Sequence, residues 1–103
     1  MKLFLFVFGV MYSVWAVAEG ATWIDVRTAG EYQSGHIESA TNIPHNQIAE
    51  KIAELQLEKD AAILLYCRSG RRAGFALEAL QKMGYNNVKN IGGLEDARDY
   101  LKQ

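Results

Sequence analysis

The sequence predicts a small three-layer α/β domain, with a mostly parallel sheet of four to five strands held between helices. Three observations predict it. Short β-prone segments alternate along the chain with stretches whose apolar residues recur at helical spacing. One segment, Ala61 to Tyr66, is an almost unbroken apolar run, as expected of a strand covered on both faces of a parallel sheet. The 103 residues contain a single proline, Pro44, and no repeat or low-complexity linker, so one domain accounts for them.

The elements follow in order. Trp23 to Val26 is short and β-prone. Ala29 to Ser34 can form a short helix before Gly35. Ala40 to Ile43 predicts a second strand, stopped by Pro44. Ile48, Ile52 and Leu55 then fall at helical spacing, with Asn46 as the expected cap. Asp60 introduces the buried strand. A longer helix is predicted over Arg72 to Met83, with Phe75, Ala76, Ala79, Leu80 and Met83 on its apolar side and Gly84 as a left-handed stop. Val88 to Ile91 is the last predicted strand, Gly92-Gly93 a turn, and Leu94 to Leu101 the closing helix.

The first residues carry a different message. Lys2 is followed by an apolar run from Leu3 to Ala18, broken only by Gly9 and Ser13 and closing on Ala16-Val17-Ala18 before Glu19. A charged start, an apolar middle and small residues at the end read as a secretory signal peptide. The run is shorter than the roughly 20 apolar residues of a spanning helix. The expectation is therefore a signal peptide at 1–18, a domain at 19–103, export to a bacterial periplasm, and no stable membrane insertion once the signal is cleaved. A domain starting so close to Trp23 favours four strands over five.

Charge and cysteine content narrow the function. Eleven Lys and Arg balance twelve Asp and Glu, for a net charge of −1, which argues against nucleic acid or an anionic membrane as partner. A single cysteine, Cys67, cannot form an internal disulfide. With only His36 and His45 beside it in composition, it matches no metal-ligand spacing, so neither metal nor other cofactor is expected, and the domain is read as a monomer.

Cys67 falls at the carboxyl end of the buried strand, immediately before a helix, at the sheet edge where ligands bind in open α/β folds. The loop Arg68-Ser69-Gly70-Arg71-Arg72 feeds directly into that helix. Gly70 permits tight curvature, and backbone N–H groups can converge there on an anion. A free thiol, with a pKa of about 8.5, is only roughly 3% ionised at pH 7. Making the thiolate the majority form needs about 2.7 kcal/mol for a two-unit shift. A helix dipole supplies about 0.3–1 kcal/mol, whereas hydrogen bonds to a charged acceptor supply roughly 1.5–3 kcal/mol each. The sequence therefore predicts a thiolate at neutral pH, held mainly by backbone N–H groups. A buried inert cysteine would fall more naturally inside the apolar run than at its polar end.

Two sets of residues carry a family resemblance. The first is Asp25-Val26-Arg27, Glu31-Tyr32, Gly35-His36-Ile37, Ala40 and Asn42-Ile43-Pro44; the second is Cys67-Arg68-Ser69-Gly70-Arg71-Arg72, then Gly84-Tyr85, Val88 and Gly92-Gly93. In order and at compatible spacing, they resemble the rhodanese family over essentially the whole of residues 19–103. The resemblance implies a rhodanese fold with Cys67 as nucleophile and the loop to Arg72 as a sulfur and anion cradle. It implies attack on the outer sulfur of thiosulfate, a cysteine persulfide, and transfer to cyanide or a thiol, without a cofactor. Arg72 is the first choice for contacting the donor's oxygens, with Arg68, Ser69, Gly70 and Arg71 also lining the cradle.

Asp25 and Arg27 are read as a structural polar network with the helix carrying Glu31. His36 is read as a structural hydrogen-bonding residue and His45 as a surface residue; Tyr32 either walls the site or packs. Ala73 stands where many members have Ser, and the segment after Gly93 lacks a common Trp. The compact layout is similar to that of the small exported members of the family. Two other readings are weighed: a persulfide carrier without efficient thiosulfate turnover, and a cysteine phosphatase of the same fold. In the phosphatases the loop arginine comes one residue later, at the position held here by Ala73, so the shorter loop favours a sulfur atom.

Overall fold

The structure, a computed structural model, describes residues 20–103; the expected signal peptide at 1–18 lies outside the described residues. Four strands form one parallel sheet: β1 (Thr22–Asp25), β2 (Thr41–Asn42), β3 (Ile63–Cys67) and β4 (Val88–Gly93), in the order β2-β1-β3-β4. Four α-helices accompany them: α1 (Ala29–Gln33), α2 (Ile48–Lys51), α3 (Arg71–Lys82) and α4 (Leu94–Leu101). The predicted mixed α/β architecture is thus present with four strands.

Side-chain alternation along the strands divides the core into two layers. Ile24 and Val26 of the β1 segment, with Ile63, Leu65 and Cys67 of β3, face one side. There they meet Ile48 and Ile52, and Ala73, Ala76 and Leu80 of α3. Trp23, Leu64 and Tyr66 face the other side, against Ile37, Ala40 and Ala97 of α4. Trp23 meets Tyr66 and Tyr100 edge to face, with ring centroids 6.2 and 5.7 Å apart. β3 is buried at every position, as its apolar run demands. Small residues at Ala73 and Ala76 let α3 approach the sheet, and Leu80 fills the space behind them.

Three local expectations need correction. Asn46 caps nothing: Pro44 is extended, and a 3-10 turn over His45–Gln47 starts at once, closed by Gln47 N–H donating to the Pro44 carbonyl at 2.8 Å. Asn46 lies inside that turn, exposed. The continuous helix expected there is split, since α2 gives way to a second 3-10 turn at Ile52–Leu55. Gly92-Gly93 is not a turn but the end of β4, where Tyr66 pairs with Gly92 and Cys67 with Gly93. Gly84 behaves as expected, with φ +100 just past the end of α3.

Candidate active site

The site forms where β1 and β3 end and where α3 and α4 begin. Parity puts Cys67 on the α3 face, so its sulfur sits beneath the first turn of that helix. Gly70, at φ +99, turns the loop back over it, and its N–H donates to Cys67 Sγ at 3.0 Å. Two influences then compete. Burial, the largest single one, pushes the Cys67 thiol up; the backbone N–H groups of Ala73, Ser69, Gly70 and Arg72 together prevail and hold it below the ordinary thiol range. The expected N–H cradle is therefore present, and Ala73 supports the sulfur through its backbone whatever its side chain lacks. Cys67 itself is wholly covered.

Each arginine of the loop has a different position. The Arg72 guanidinium, first choice for the donor's oxygens, is bonded to Glu31: Nη1 to Oε1 is 2.8 Å and Nη2 to Oε2 is 3.0 Å. Glu31 Oε1 also accepts the Thr28 N–H at 2.9 Å, while Thr28 Oγ1 accepts the Glu31 N–H, so one carboxylate both caps α1 and holds α3. Arg72 and then Thr28 hold the Glu31 carboxyl down at about 2. Arg68 and Arg71 are exposed, and no carboxylate among the described residues forms a salt bridge with either. Ser69 is exposed beside them.

Asp25 and Arg27 form a buried pair. Arg27 Nη2 reaches Asp25 Oδ2 at 2.7 Å, and Arg27 Nε lies 3.0 and 3.1 Å from the two carboxylate oxygens. Arg27 Nη2 also donates to the Gly35 carbonyl at 2.7 Å, and its guanidinium lies 5.6 Å from the Tyr66 ring centroid. The two form a buried network whose anchor is the turn after α1, not the helix carrying Glu31; Glu31 belongs to Arg72. Asn42 Nδ2 ties the same corner by donating to the carbonyls of Asp25 and Arg27, each at 3.0 Å. Burial pushes the Tyr66 phenol up to about 12, and its oxygen accepts the Ile37 N–H at 3.0 Å.

The remaining candidates are engaged in contacts away from the sulfur. His36 Nδ1 is 2.7 Å from the Tyr32 carbonyl, and its ring stacks on that of Tyr32. Tyr32 donates its hydroxyl to the Ala40 carbonyl at 2.6 Å. His45 is half-buried rather than on the surface, tilted against the exposed Phe75.

A cavity of about 380 Å3 opens beside the loop, lined by the cationic Arg27 and Arg68 and the acidic Glu31, Glu95 and Asp96, with Leu94. Its floor includes Gly93, where a Cβ would collide with the Arg68 carbonyl oxygen. Only glycine admits so close an approach of β4 to the loop. Glu31, Gly93 and Asn90 are the site residues that the sequence reading did not assign. The Thr28-x-x-Glu31 spacing signals a capping box; Asn90, next to Lys89 on an exposed stretch of strand, gives no signal.

Comparison with known proteins agrees with this arrangement. A family model described as a rhodanese-like domain matches residues 14–99. The chain is 45% identical over 74 residues to thiosulfate sulfurtransferase PspE of Escherichia coli K12, covering 72% of this chain and 71% of that protein. It is 37% identical over 73 residues to YqhL, an uncharacterized protein of Bacillus subtilis, covering 71% of this chain and 56% of that protein. A solved structure described as a rhodanese with anions from E. coli matches with a TM-score of 0.71 at 43% identity, covering 74% of this chain and 89% of that one. With a family match over most of its length and a cysteine loop built to hold an anionic sulfur, the chain belongs to the rhodanese family of sulfurtransferases.

Proposed function

We propose that the protein moves the outer sulfur of thiosulfate, or a related donor, to a thiophilic acceptor through a persulfide on Cys67. The observation that carries this reading is a thiol held below its ordinary range by four backbone N–H groups, those of Ser69 and Gly70 in the loop and of Arg72 and Ala73 in the first turn of α3. A preformed thiolate needs no general base, and among the described residues no histidine bonds to Cys67. The thiolate attacks the outer sulfur, the sulfur–sulfur bond of thiosulfate breaks, and sulfite leaves with its electron pair. The anionic persulfide takes the thiolate's place among the N–H groups. Cyanide or a thiolate then attacks the outer sulfur and returns Cys67 as thiolate.

A disulfide-type bond of about 2.0 Å carries the reactive sulfur beyond the covered Sγ, toward the mouth of the loop. There the unpaired Arg68 and Arg71, with the N–H groups of Ser69 and Gly70, meet the donor, while Arg72 positions the loop through Glu31. The protein acts as a monomer after removal of residues 1–18 and export to the periplasm. The apolar run and the Ala16-Val17-Ala18 end support that placement; no helix among the described residues is long and apolar enough to cross a membrane.

Intact-mass measurement after incubation with thiosulfate tests the chemistry. The expected result is a gain of one sulfur atom that disappears with cyanide and is absent in Cys67→Ser. A stable gain without turnover would indicate a carrier. No gain, together with hydrolysis of a phenyl phosphate, would indicate a phosphatase and overturn the proposal.

A further inference from the structure

The last strand departs from regular pairing beside the loop, and one side chain joins the two. β4 follows β3 residue for residue up to Leu65 opposite Asn90, but Tyr66 then pairs with Gly92, leaving Ile91 as an extra residue. At this bulge Gly92 takes φ +111, and its N–H donates to Asn90 Oδ1 at 2.9 Å. The other end of the same carboxamide turns to the catalytic loop, where Asn90 Nδ2 donates to the Gly70 carbonyl at 2.8 Å. One partner needs an acceptor and the other a donor, so the orientation of the amide is fixed by its contacts.

Gly70 is the residue whose N–H faces Cys67 Sγ. A left-handed glycine has more conformations open to it than any other residue, and α3 has no side-chain cap to restrain it. Its carbonyl is instead held from two directions, by the Gly74 N–H at 3.0 Å and by Asn90. Turning the Gly70 carbonyl away from its present direction breaks both bonds. We propose that Asn90 is a positioning residue for the sulfur cradle: by anchoring the Gly70 carbonyl, it keeps the Gly70 N–H aimed at Cys67 Sγ. Asn90 touches neither the sulfur nor the donor, and acts through Gly70 alone. It is exposed, so its replacement removes little from the core.

The inference deepens the reading of Cys67 as sulfur carrier, but its readout is the reactivity of the thiol itself, which requires no sulfur transfer. Asn90→Ala and Asn90→Asp are compared with the parent for the rate of Cys67 alkylation by iodoacetamide across pH, alongside thermal unfolding. Asp keeps the acceptor for Gly92 but cannot donate to Gly70 when ionised; Ala removes both bonds without adding charge. Arg72, the cation whose charge acts on Cys67, is unchanged in both. The expected result is an upward shift of the alkylation midpoint, seen below both midpoints as a roughly three- to tenfold slower reaction, with the rate at high pH within about twofold of the parent.

A merely structural role would lower the melting temperature and leave the midpoint in place, and an unmoved midpoint in Asn90→Ala overturns the proposal. Should the variants fail to fold, the parent provides the measurement: the Asn90 side-chain amide resonances should titrate with the Cys67 midpoint, and resonances that stay still also overturn it. A shifted midpoint in a protein that gains no sulfur from thiosulfate would sustain the positioning role while refuting sulfur transfer.

Discussion

Arg68 and Arg72 lie four residues apart on one loop, and their surroundings separate their tasks. Arg72 is bound to Glu31 by a two-pronged bridge, while Arg68 stands exposed at the cavity. Arg68→Ala should therefore raise KM for thiosulfate roughly three- to tenfold with little change in kcat, the result of losing a charged contact made equally in the ground and transition states. Steady-state kinetics over a range of thiosulfate concentrations checks this; an unchanged KM would remove Arg68 from donor binding. The proposed nucleophile stood out in the sequence because a cysteine at the polar end of an apolar run, followed by a glycine and three arginines, has few structural explanations. The partner of Arg72 was not, because Glu31 lies 41 positions earlier in the chain. Only the folded sheet brings the two loops together. Asn90 was illegible for a related reason: its two bonds depend on a strand bulge that no pattern in Val88 to Gly93 announces.

Among the elements, α1 and α3 are joined through a single carboxylate. Glu31 is held at about 2, below its ordinary 4.5, first by Arg72 and then by Thr28. A depressed carboxylate contributes stability that is fully present above its unfolded value and is lost as pH falls through its folded value. Glu31→Gln should thus destabilise the protein at pH 7 by about 1–2 kcal/mol, a figure reduced for solvent screening because both partners are about a quarter exposed. The difference from the parent should shrink between pH 4.5 and about 2. Urea unfolding at several pH values measures it, and a difference that persists at the acid end would show that the pair is not its source. The predicted helices and strands were legible where the period was long, as in α3, or the run unbroken, as in β3. Asn46 misled because the rigid Pro44 starts the turn before a capping side chain can act. Gly92-Gly93 misled because paired glycines mark tight turns and close backbone approaches alike, and here they serve the second.

At the scale of the whole molecule, a net charge of −1 leaves no overall attraction for an anion, so attraction for an anionic donor has to come from local groups such as the three arginines after Cys67. The fold class was legible because alternating apolar segments in so short a chain leave few architectures that bury them. The export prediction belongs at this scale too. Expression of the full sequence in a bacterium should yield a periplasmic protein whose first residue is Glu19, as amino-terminal sequencing or intact mass will show; a cytoplasmic product that retains Met1 would refute it.

The parity of β3 has a consequence for how this chemistry can change. Tyr66 and Cys67 are neighbours that point to opposite layers, one to α4 and the other to α3. A strand that slipped by one residue would either bring the Tyr66 phenol to the N–H cradle or, in the other direction, carry the thiol to the place of Tyr66, on the layer of Trp23, Ile37 and Ala97. Which side chain meets the cradle is therefore specified by an odd-or-even count along five residues as much as by its own identity. Insertions in the surface loops can leave sulfur chemistry intact, but a single residue added to or removed from β3 inverts the molecule's inside.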